Sequence, residues 1–505
     1  MRAPRAHDTG LDKFQNWHNN VSQELRRIVD VWNAQPSRHT LPGYNRTTRA
    51  LQSLIGESLD AGEEIRALGG AWSFLPVAAT SGTLINTKPL NYKFAIPGSA
   101  VMTGFQGERD NLYFVQAGNS VAELNWYLFD QGKSLPTSGA SNGQTISGAL
   151  STGTHGSAID FGAIPEFVKA IHLIVSPTRH VWLEPASNPV VRNSRLPDRL
   201  ETEVIRDDDL FHAALVSFGS FGIIHGIVIE ADDRYFLNMF RTKLKRTPGL
   251  RRFMENLDFT AFHAPGPARG ARAHHLSAII NPFDPGHVYV TAMYRHRTMP
   301  PGSRLPDQPS GVTPGDDALS VIAVLTDRFD IAPLLMRRLL DSELYNLKNV
   351  AGTPGQIFRD TTTRGRAASS AVGVPLSTVN RVIDLFLEAH RATEAPALIA
   401  TRYVKSTRAT LGFTSFDDRT AIVEIDGPDS ERVRDMHRQA WNALRSNEIP
   451  HRFHWGKQHD LTADTFRIAY GDARVRSWVA SRQALLENGE LRDAFLNDTV
   501  RGILA

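Results

Sequence analysis

The sequence predicts an α+β fold with two lobes. At 505 residues the chain is longer than one ordinary hydrophobic core requires, which favours two or three lobes. Between residues 36 and 232, short β-rich runs alternate with amphipathic segments such as residues 47–61, whose apolar positions recur with helical period. After residue 233 the pattern changes to longer strands and then to helices. We therefore expect a mixed first lobe and a second lobe in which helices back an antiparallel sheet.

These changes of pattern predict the domain limits. An N-terminal extension, a first lobe, a second lobe and a C-terminal segment that returns to the first lobe are expected at residues 1–35, 36–234, 235–450 and 451–505. Second-lobe strands are expected at residues 276–280, 287–294, 398–404 and 420–425, and helices at residues 317–340, 377–392 and 430–444. Residues 298–316 are rich in proline and glycine, and we expect an ordinary surface connection there. Residues 346–375 combine Gly, Thr and Arg with little periodicity, and we expect a loop that forms a roof over a pocket.

Composition excludes several classes of protein. Lysine and arginine total 56 against 53 acidic residues, and no basic block stands out, so nucleic-acid binding is not expected. The absence of cysteine excludes disulfides, thiolate nucleophiles, zinc–thiolate sites and iron–sulfur clusters, and no metal site is predicted. No apolar run reaches about 18 residues, and the N-terminus has no signal-type apolar core. A soluble, cytoplasmic protein is the simplest interpretation.

Two glycine-rich segments indicate a site for a phosphate-bearing ligand. Residues 141–157 read SNGQTISGALSTGTHGS, and this density of glycine and hydroxyl side chains gives backbone N–H groups unhindered approach to a phosphate. Upstream, residues 65–74 read IRALGGAWSF, a β-type run that stops at paired glycines. Either segment alone would indicate no more than a tight turn, whereas the two together favour ligand binding.

The two segments resemble the FAD-binding half of the vanillyl-alcohol oxidase superfamily, which carries a PCMH-type FAD-binding domain. Residues 115–135, residues 210–231 and the HWGK element at residues 454–457 are similar to further parts of that family in the same order, while residues 236–395 match weakly. The similarity is greatest to the branch of aldonolactone oxidases, alditol oxidases and type II cholesterol oxidases. It implies a PCMH-type domain followed by a substrate (cap) domain.

The resemblance also implies which residues contact FAD. In the family, the loop at residues 69–73 and the run at residues 145–156 hold the pyrophosphate through main-chain donors, and a second flavin-contacting turn falls at residues 219–224. The residues expected to contact FAD are Gly69, Gly70, Ala71, Trp72, Ser73, Gly139, Ala140, Thr145, Gly148, Thr152, Gly153, Thr154, His155, Gly156, Gly222, Ile223 and Ile224.

Trp72 departs from the relatives that attach FAD covalently. Those relatives place a histidine here, whose ring nitrogen can add to the flavin 8α-methyl group, and an indole cannot do so. We therefore expect non-covalent FAD. His155 is the nearest other imidazole of the motif, and attachment through it is the alternative.

Two further departures concern the substrate side. In the family, one strand carries a glutamate and an arginine two residues apart on one face, and here these positions are Ala400 and Arg402. Ala140 stands where polyol oxidases direct a serine at the substrate. Both losses reduce polarity, so we expect a more apolar substrate than a sugar alcohol, with a carboxylate or carbonyl held by Arg402. A structural ion pair is the alternative role for Arg402.

His454 and Lys457, in HWGK, are the other expected catalytic residues. By resemblance, Lys457 places a positive charge beside the reduced flavin or a substrate oxygen, with His454 adjacent. A surface lysine and a packed histidine are the alternatives.

Two remaining features bear on oxygen and on charge. Gly139 falls where family oxidases carry a small residue that leaves dioxygen a path to the flavin, which favours an oxidase. Arg359, Arg364 and Arg366 form a basic cluster in the predicted roof, which could attract an anionic substrate or be an ordinary solvated face.

The predicted function is that of an FAD-dependent oxidase. It removes a hydride from a C–H bond next to oxygen, or alternatively nitrogen, and reduces dioxygen to hydrogen peroxide, acting on a small molecule other than a simple alditol. The alternatives are a dehydrogenase with a protein, quinone or other acceptor, and a biosynthetic tailoring flavoprotein. No catalytic base is evident, so His454, a residue of the roof or water must take the proton. A nicotinamide enzyme is disfavoured because no dinucleotide-binding glycine fingerprint occurs in a strand–helix context.

Overall fold

The computed structural model describes residues 6–33, 40–139, 141–306, 346–358 and 366–504. The predicted helix at residues 317–340, the flavin contact at Ala140 and the basic residues Arg359 and Arg364 lie outside the described residues. Within the described part, no helix combines the length and apolar character needed to cross a membrane.

The first lobe is built on two mixed sheets. The four-stranded sheet has the order β1-β4-β6-β5, and the six-stranded sheet has the order β12-β11-β10-β13-β8-β7. Two pairs, β2-β3 and β14-β9, stand apart. The strands are β1 (Ala6–Asp8), β2 (Lys13–Gln15), β3 (Ser22–Glu24), β4 (Arg27–Val31), β5 (Ile65–Leu68), β6 (Thr83–Asn86), β7 (Lys93–Ala95), β8 (Leu112–Gln116), β9 (Lys133–Ser134), β10 (Val168–Ile174), β11 (His180–Glu184), β12 (Glu203–Arg206), β13 (Ile223–Glu230) and β14 (Asp232–Asp233).

Helices cover these sheets with their apolar faces. The helix Leu41–Asp60 begins at Thr40, whose side chain accepts a hydrogen bond from the Gly43 N–H, and it buries Leu51, Leu54 and Ile55. The other first-lobe helices are Val121–Asp130, Ile146–Ser151, Leu196–Arg199 and Asp208–Leu215. Since β4 pairs in parallel with β6, residues 6–31 are built into this lobe rather than preceding it.

The second lobe is one antiparallel sheet of eight strands in the order β18-β15-β17-β16-β20-β21-β19-β22. The strands are β15 (Phe236–Lys245), β16 (His275–Ile280), β17 (His287–His296), β18 (Leu347–Gly352), β19 (Ala367–Pro375), β20 (Leu398–Lys405), β21 (Arg419–Pro428) and β22 (Arg452–Phe453). Its helices are Pro248–Asn256, Pro354–Ile357, Val379–Thr393 and Glu431–Ser446. The last two share an apolar core with the sheet through Ile383, Phe386 and Trp441. The predicted α+β class with a helix-backed antiparallel sheet is confirmed.

The C-terminal residues pack on the first lobe. They form the helices Ala463–Tyr470, Asp472–Leu485, Gly489–Ala494 and Asp498–Leu504. The Trp478 indole N–H donates to the Ala213 and Val216 carbonyl oxygens, each at 3.1 Å, and the buried Arg66 guanidinium donates to the Phe495 carbonyl oxygen at 2.6 Å.

The loop predicted over residues 346–375 is wrong at both ends, where β18 and β19 lie. The sequence of β19, AASSAVGVP, is rich in small residues that disfavour strands on average. Pairing with β21 on one side and β22 on the other overrides that preference, because strand propensity depends on the packing context.

Candidate functional site

A cavity of about 710 Å³ lies where the glycine-rich segments of the first lobe face the eight-stranded sheet. This volume is within the range of small-molecule and cofactor sites, about 300–1,000 Å³. The lining comes from the ends of β5, β19, β20 and β21, from the loops at residues 69–78 and 139–155, and from the HWGK element.

The two glycine-rich segments contact each other along one wall. A Cβ atom on Gly69 would overlap Thr145 Oγ1, and one on Gly70 would lie 2.7 Å from the Gly143 carbonyl oxygen. Only glycine permits this approach, and the physical reason for the motif is therefore the contact between the two loops as well as access for a ligand.

Most of the predicted flavin contacts line the cavity. Gly153 and Gly156 belong to the same loop but do not reach the cavity, and a Cβ on Gly156 would lie 2.5 Å from the Ser138 carbonyl oxygen. Ile223 is buried in the apolar core of the first lobe instead. The predicted residues that line the cavity are Gly69, Gly70, Ala71, Trp72, Ser73, Gly139, Thr145, Gly148, Thr152, Thr154, His155, Gly222, Ile224, Arg402, His454 and Lys457.

The HWGK element joins the two lobes at the cavity. It directly follows β22, and the His454 N–H donates to the Ala371 carbonyl oxygen of β19 at 3.0 Å. The Gly456 carbonyl oxygen accepts from the Phe74 N–H at 2.8 Å, so the last motif is hydrogen-bonded to the first. The element that carries Lys457 is thereby hydrogen-bonded to both lobes.

Trp72 sits in an aromatic group that sequence reasoning did not anticipate. Its indole stacks on Trp17, with ring centroids 5.4 Å apart and planes at 12°, and His18 meets it edge-on at 5.4 Å. His18 also stacks on Phe74 and lines the cavity. Burial lowers the pKa of His18 to about 4, so this imidazole is neutral at pH 7.

A charged cluster forms the opposite wall, centred on the buried carboxylate of Glu424. Arg402 Nε donates to Glu424 Oε1 at 3.1 Å, Lys457 Nζ lies 3.2 Å from Glu424 Oε2, and His155 Nε2 lies 3.4 Å from Glu424 Oε1. In the sheet, Glu424 is directly opposite Ala400. Glu424 thus places a carboxylate beside Arg402, on the strand next to Ala400.

The pKa values of the two acidic groups of the cluster are shifted in opposite directions. Burial alone would raise the pKa of the Glu424 carboxyl, but the charges of Arg402 and Lys457 outweigh it and hold the pKa well below its usual range. Burial raises the pKa of the Asp426 carboxyl, and the Glu424 charge adds to this effect while Lys457 opposes it. Asp426 accepts a hydrogen bond from Ser369 Oγ and lies 3.4 Å from Lys457 Nζ.

The two histidines beside Glu424 are held in opposite tautomers. His155 Nδ1 is 2.9 Å from the Gly156 carbonyl oxygen, which can only accept, so Nδ1 carries the proton and Nε2 is a free acceptor. His454 Nδ1 accepts from the Gly456 N–H at 2.9 Å, so the proton of this ring is on Nε2. Burial lowers the pKa of both rings, that of His155 to about 4. Both are neutral at pH 7.

The part of the cavity beside the ends of β19, β20 and β21 has few polar side chains. Small and apolar residues predominate there, and Ser369 supplies a hydroxyl group. These residues are Ala367, Ala368, Ser369, Pro396, Ala397, Leu398, Gly427 and Pro428. Arg366, predicted to join a basic cluster, lies just before β19 and pairs with Asp429 at 3.4 Å.

The fit of the site to FAD can be tested on its polar groups. Gln144 Oε1 lines the cavity and is buried without a hydrogen-bond partner among the described residues. The glycine-rich loops leave room for a phosphate group, and the cationic residues Arg402 and Lys457 also line the cavity. An amide oxygen only accepts hydrogen bonds, so a hydroxyl donor such as those of FAD would satisfy it, while the phosphate groups would be held by the glycine-rich loops.

Comparisons with known proteins identify an FAD-binding domain in this chain. Residues 44–183 match the family model described as FAD binding domain. The chain is 26% identical to a D-arabinono-1,4-lactone oxidase of Yarrowia lipolytica over 37% of this chain and 31% of the relative. It is 22% identical to an L-gulono-1,4-lactone dehydrogenase of Mycobacterium tuberculosis over 90% of this chain and 93% of the relative. The match thus spans only about three tenths of the fungal enzyme's length.

Solved structures share the whole fold. A variant of cholesterol oxidase from Brevibacterium sterolicum superposes with a TM-score of 0.70 at 16% identity, covering 99% of this chain and 97% of that one. A solvent-stable cholesterol oxidase gives 0.64 at 15% identity, covering 96% and 97%. The chain therefore carries an FAD-binding domain over residues 44–183 and shares its overall fold with solved cholesterol oxidases.

Proposed function

We propose that this protein is an FAD-dependent oxidase that takes a hydride from a carbon bearing a hydroxyl group and reduces dioxygen to hydrogen peroxide. The observation that carries the proposal is the shared cavity, in which the loops of the FAD-binding domain face the Arg402, Glu424 and Lys457 cluster of the second sheet. When bound there, FAD supplies the hydride acceptor.

The loop residues hold the cofactor without a covalent bond. Gly69 and Gly70 line the cavity without side chains, which gives a phosphate group room to approach the backbone, and Gln144 offers an acceptor to the ligand. Trp72 provides an aromatic face at the position where covalent attachment of the flavin would require the imidazole of a histidine. His155 lines the cavity with Nδ1 bonded to the Gly156 carbonyl oxygen and Nε2 facing Glu424, so it is the alternative site of attachment.

The cluster fixes the reacting carbon and favours the charge that forms. Arg402 and Lys457 place two cations beside the Glu424 carboxylate, and burial raises the pKa of the neighbouring Asp426 carboxyl, which reduces the negative charge that this residue adds to the wall. Such a preorganised field stabilises negative charge as the hydride arrives. His454, with its proton on Nε2, is placed to donate a hydrogen bond and not to accept the substrate proton.

The substrate that fits best is a largely apolar secondary or primary alcohol. Small and apolar residues line the cavity beside the sheet ends, and the Arg402 charge is already compensated by Glu424. A simple alditol would leave several hydroxyl groups without partners at this wall, which is costly in a buried site. The names of the relatives make a lactone-type substrate the second class to test.

A dehydrogenase is the second candidate activity. It is favoured by the Mycobacterium tuberculosis relative, which aligns over 93% of its own length and is named a dehydrogenase. The oxidase is favoured by Gly139, which lines the cavity without a side chain. Rapid reoxidation of the reduced protein by air separates the two.

The cofactor proposal is tested by recording the visible spectrum of the purified protein and then precipitating it with acid. We expect FAD in the supernatant. Flavin in the pellet would contradict the role of Trp72, and a colourless protein that cannot be reconstituted with FAD would contradict the whole proposal. Substrates are then compared as lipophilic alcohols, aldonolactones and alditols, with peroxide as the readout.

A further inference from the structure

The position of Glu424 suggests how the substrate loses its hydroxyl proton. Resting on the proposed function, we propose that His155 Nε2, paired with Glu424, accepts this proton, and that Glu424 replaces from across the sheet the carboxylate missing at Ala400.

The register of the sheet makes the replacement possible. Ala400 on β20 and Glu424 on β21 are direct cross-strand partners. Such partners point to the same face with Cβ atoms about 4.5–5.5 Å apart. A glutamate side chain can therefore reach the same space from either strand, and Glu424 uses it to contact Arg402, two residues after Ala400.

The hydrogen bonds of His155 leave its Nε2 atom able to accept a proton. Because His155 Nδ1 donates to the Gly156 carbonyl oxygen, the nitrogen that faces Glu424 Oε1 at 3.4 Å carries a lone pair. Two acceptors thus face each other beside the cavity, which both residues line. A proton delivered between them removes their repulsion and forms an imidazolium stabilised by the carboxylate.

The charges around the pair decide which partner takes the proton. Arg402 and Lys457 occupy both Glu424 oxygens and keep the carboxylate ionised, which makes it a weak base. His155 Nε2 has no such partner of its own, so it is the acceptor, and Glu424 positions and stabilises it. Asp426, His454 and His275 are the other titratable groups nearby.

The step balances without a further reactant. The substrate C–H bond breaks and its electron pair leaves as hydride to the flavin, while the O–H bond breaks and its proton goes to His155 Nε2. The carbon–oxygen bond becomes a carbonyl. Dioxygen then takes the electrons, and the proton leaves with hydrogen peroxide.

The tautomer is tested first, because it does not depend on turnover. Protein labelled with nitrogen-15 at histidine and loaded with FAD is examined by long-range nitrogen–proton correlation, with His155→Gln and His454→Gln used for assignment. We expect the proton on Nδ1 in His155 and on Nε2 in His454. A proton on Nε2 of His155 would overturn the proposal even if the enzyme proves to be an oxidase.

The role of the Glu424 carboxylate is tested by removing it and introducing a glutamate at position 400. With the best alcohol of the substrate panel, anaerobic flavin reduction in Glu424→Ala should be at least about 100-fold slower than in the wild type. The double variant Ala400→Glu/Glu424→Ala should recover at least about tenfold, and the matched control Ala400→Gln/Glu424→Ala should not. Equal recovery in both double variants, or an unimpaired Glu424→Ala, would overturn the proposal. Flavin absorbance shows whether each variant still holds FAD.

Discussion

The two walls of the cavity are built in different ways. The first wall comes from segments that are nearly continuous in the chain, residues 65–74 and 141–156, which contact each other through Gly69 and Thr145. The opposite wall brings together Arg402, Glu424 and Lys457, which come from β20, β21 and the segment after β22. One wall depends on local backbone conformation and the other on strand register.

This difference determines how each wall tolerates change. A backbone cradle fails when a side chain fills it, because glycine has no substitute at a close contact. A side-chain cluster can take a functional group from either of two adjacent strands and keep its chemistry. In our proposal, Glu424 on β21 supplies the carboxylate that is absent at Ala400 on β20. The loops therefore require particular residues, namely glycines, whereas the sheet requires only that a suitable side chain reach the right position.

The largest effect is expected from filling the cradle. Gly69→Ala places a Cβ on Thr145 Oγ1, so the two loops must separate and FAD retention should be lost. Gly56→Ala is the matched control, since its Cβ would make an ordinary 3.6 Å contact with Pro177. Flavin absorbance per protein measures both. Full FAD retention in Gly69→Ala would show that the loops do not form the cradle.

Breaking the cluster should affect both rate and stability. Arg402→Met leaves the Glu424 carboxylate with one fewer cation in a buried site. Removing one partner of a buried pair costs about 3 kcal/mol, and the loss of field should slow flavin reduction about 100-fold. Arg402→Lys keeps the charge and is the control. Urea unfolding and anaerobic reduction are the measurements, and an unchanged Arg402→Met would mean that Arg402 is peripheral.

A smaller and selective effect is expected at Gly139, which lines the cavity beside the loop wall. Gly139→Val adds bulk beside the Ser141 carbonyl oxygen, which an added Cβ would already approach to 3.1 Å. Reoxidation of the reduced protein by air should slow about tenfold, which corresponds to about 1.4 kcal/mol of barrier, while anaerobic reduction stays the same. Equal slowing of both half-reactions would indicate a distorted site instead of a blocked oxygen path.

A pH-dependent effect on stability is expected from the support behind the cluster. His437 Nε2 donates to the carbonyl oxygen of Ile425, which lies between Glu424 and Asp426, and burial lowers the pKa of His437 to about 4. The unfolded chain therefore binds a proton below about pH 6.5 that the folded chain does not bind above its own pKa.

The free energy of unfolding should consequently fall as the pH drops from 6.5 towards 4, by about 1.4 kcal/mol per pH unit for this group. In His437→Gln the slope should decrease by that amount, as measured by urea unfolding at each pH. An unchanged slope would show that His437 is already charged in the folded protein.

The sequence predicted the loop wall better than the sheet wall, because the loop wall depends on local backbone conformation and the sheet wall on strand register. The glycines and hydroxyl residues lie within two short runs, so most of the expected contacts, from Gly69 to His155, do line the cavity. Gly153, Gly156 and Ile223 show the limit of this approach, since a motif does not tell which members face inwards.

Glu424 could not be identified from its surroundings in the chain. It lies in TAIVEI, an ordinary strand sequence, and its importance follows only from the pairing that sets it opposite Ala400. His18 precedes the first motif by about fifty residues and reaches the cavity by stacking on Phe74. The alternation that identified Ala400 and Arg402 was the usable clue, because a missing carboxylate invites a search of the adjacent strands.

The most direct measurement is anaerobic mixing of the FAD-loaded protein with a lipophilic alcohol while the flavin absorbance is followed. We expect the oxidised flavin band to bleach, and to return on admission of air with one hydrogen peroxide formed per flavin. A flavin band that is unaffected by alcohols and lactones alike, in protein that retains its FAD, would contradict the claim that the two walls form one oxidation site.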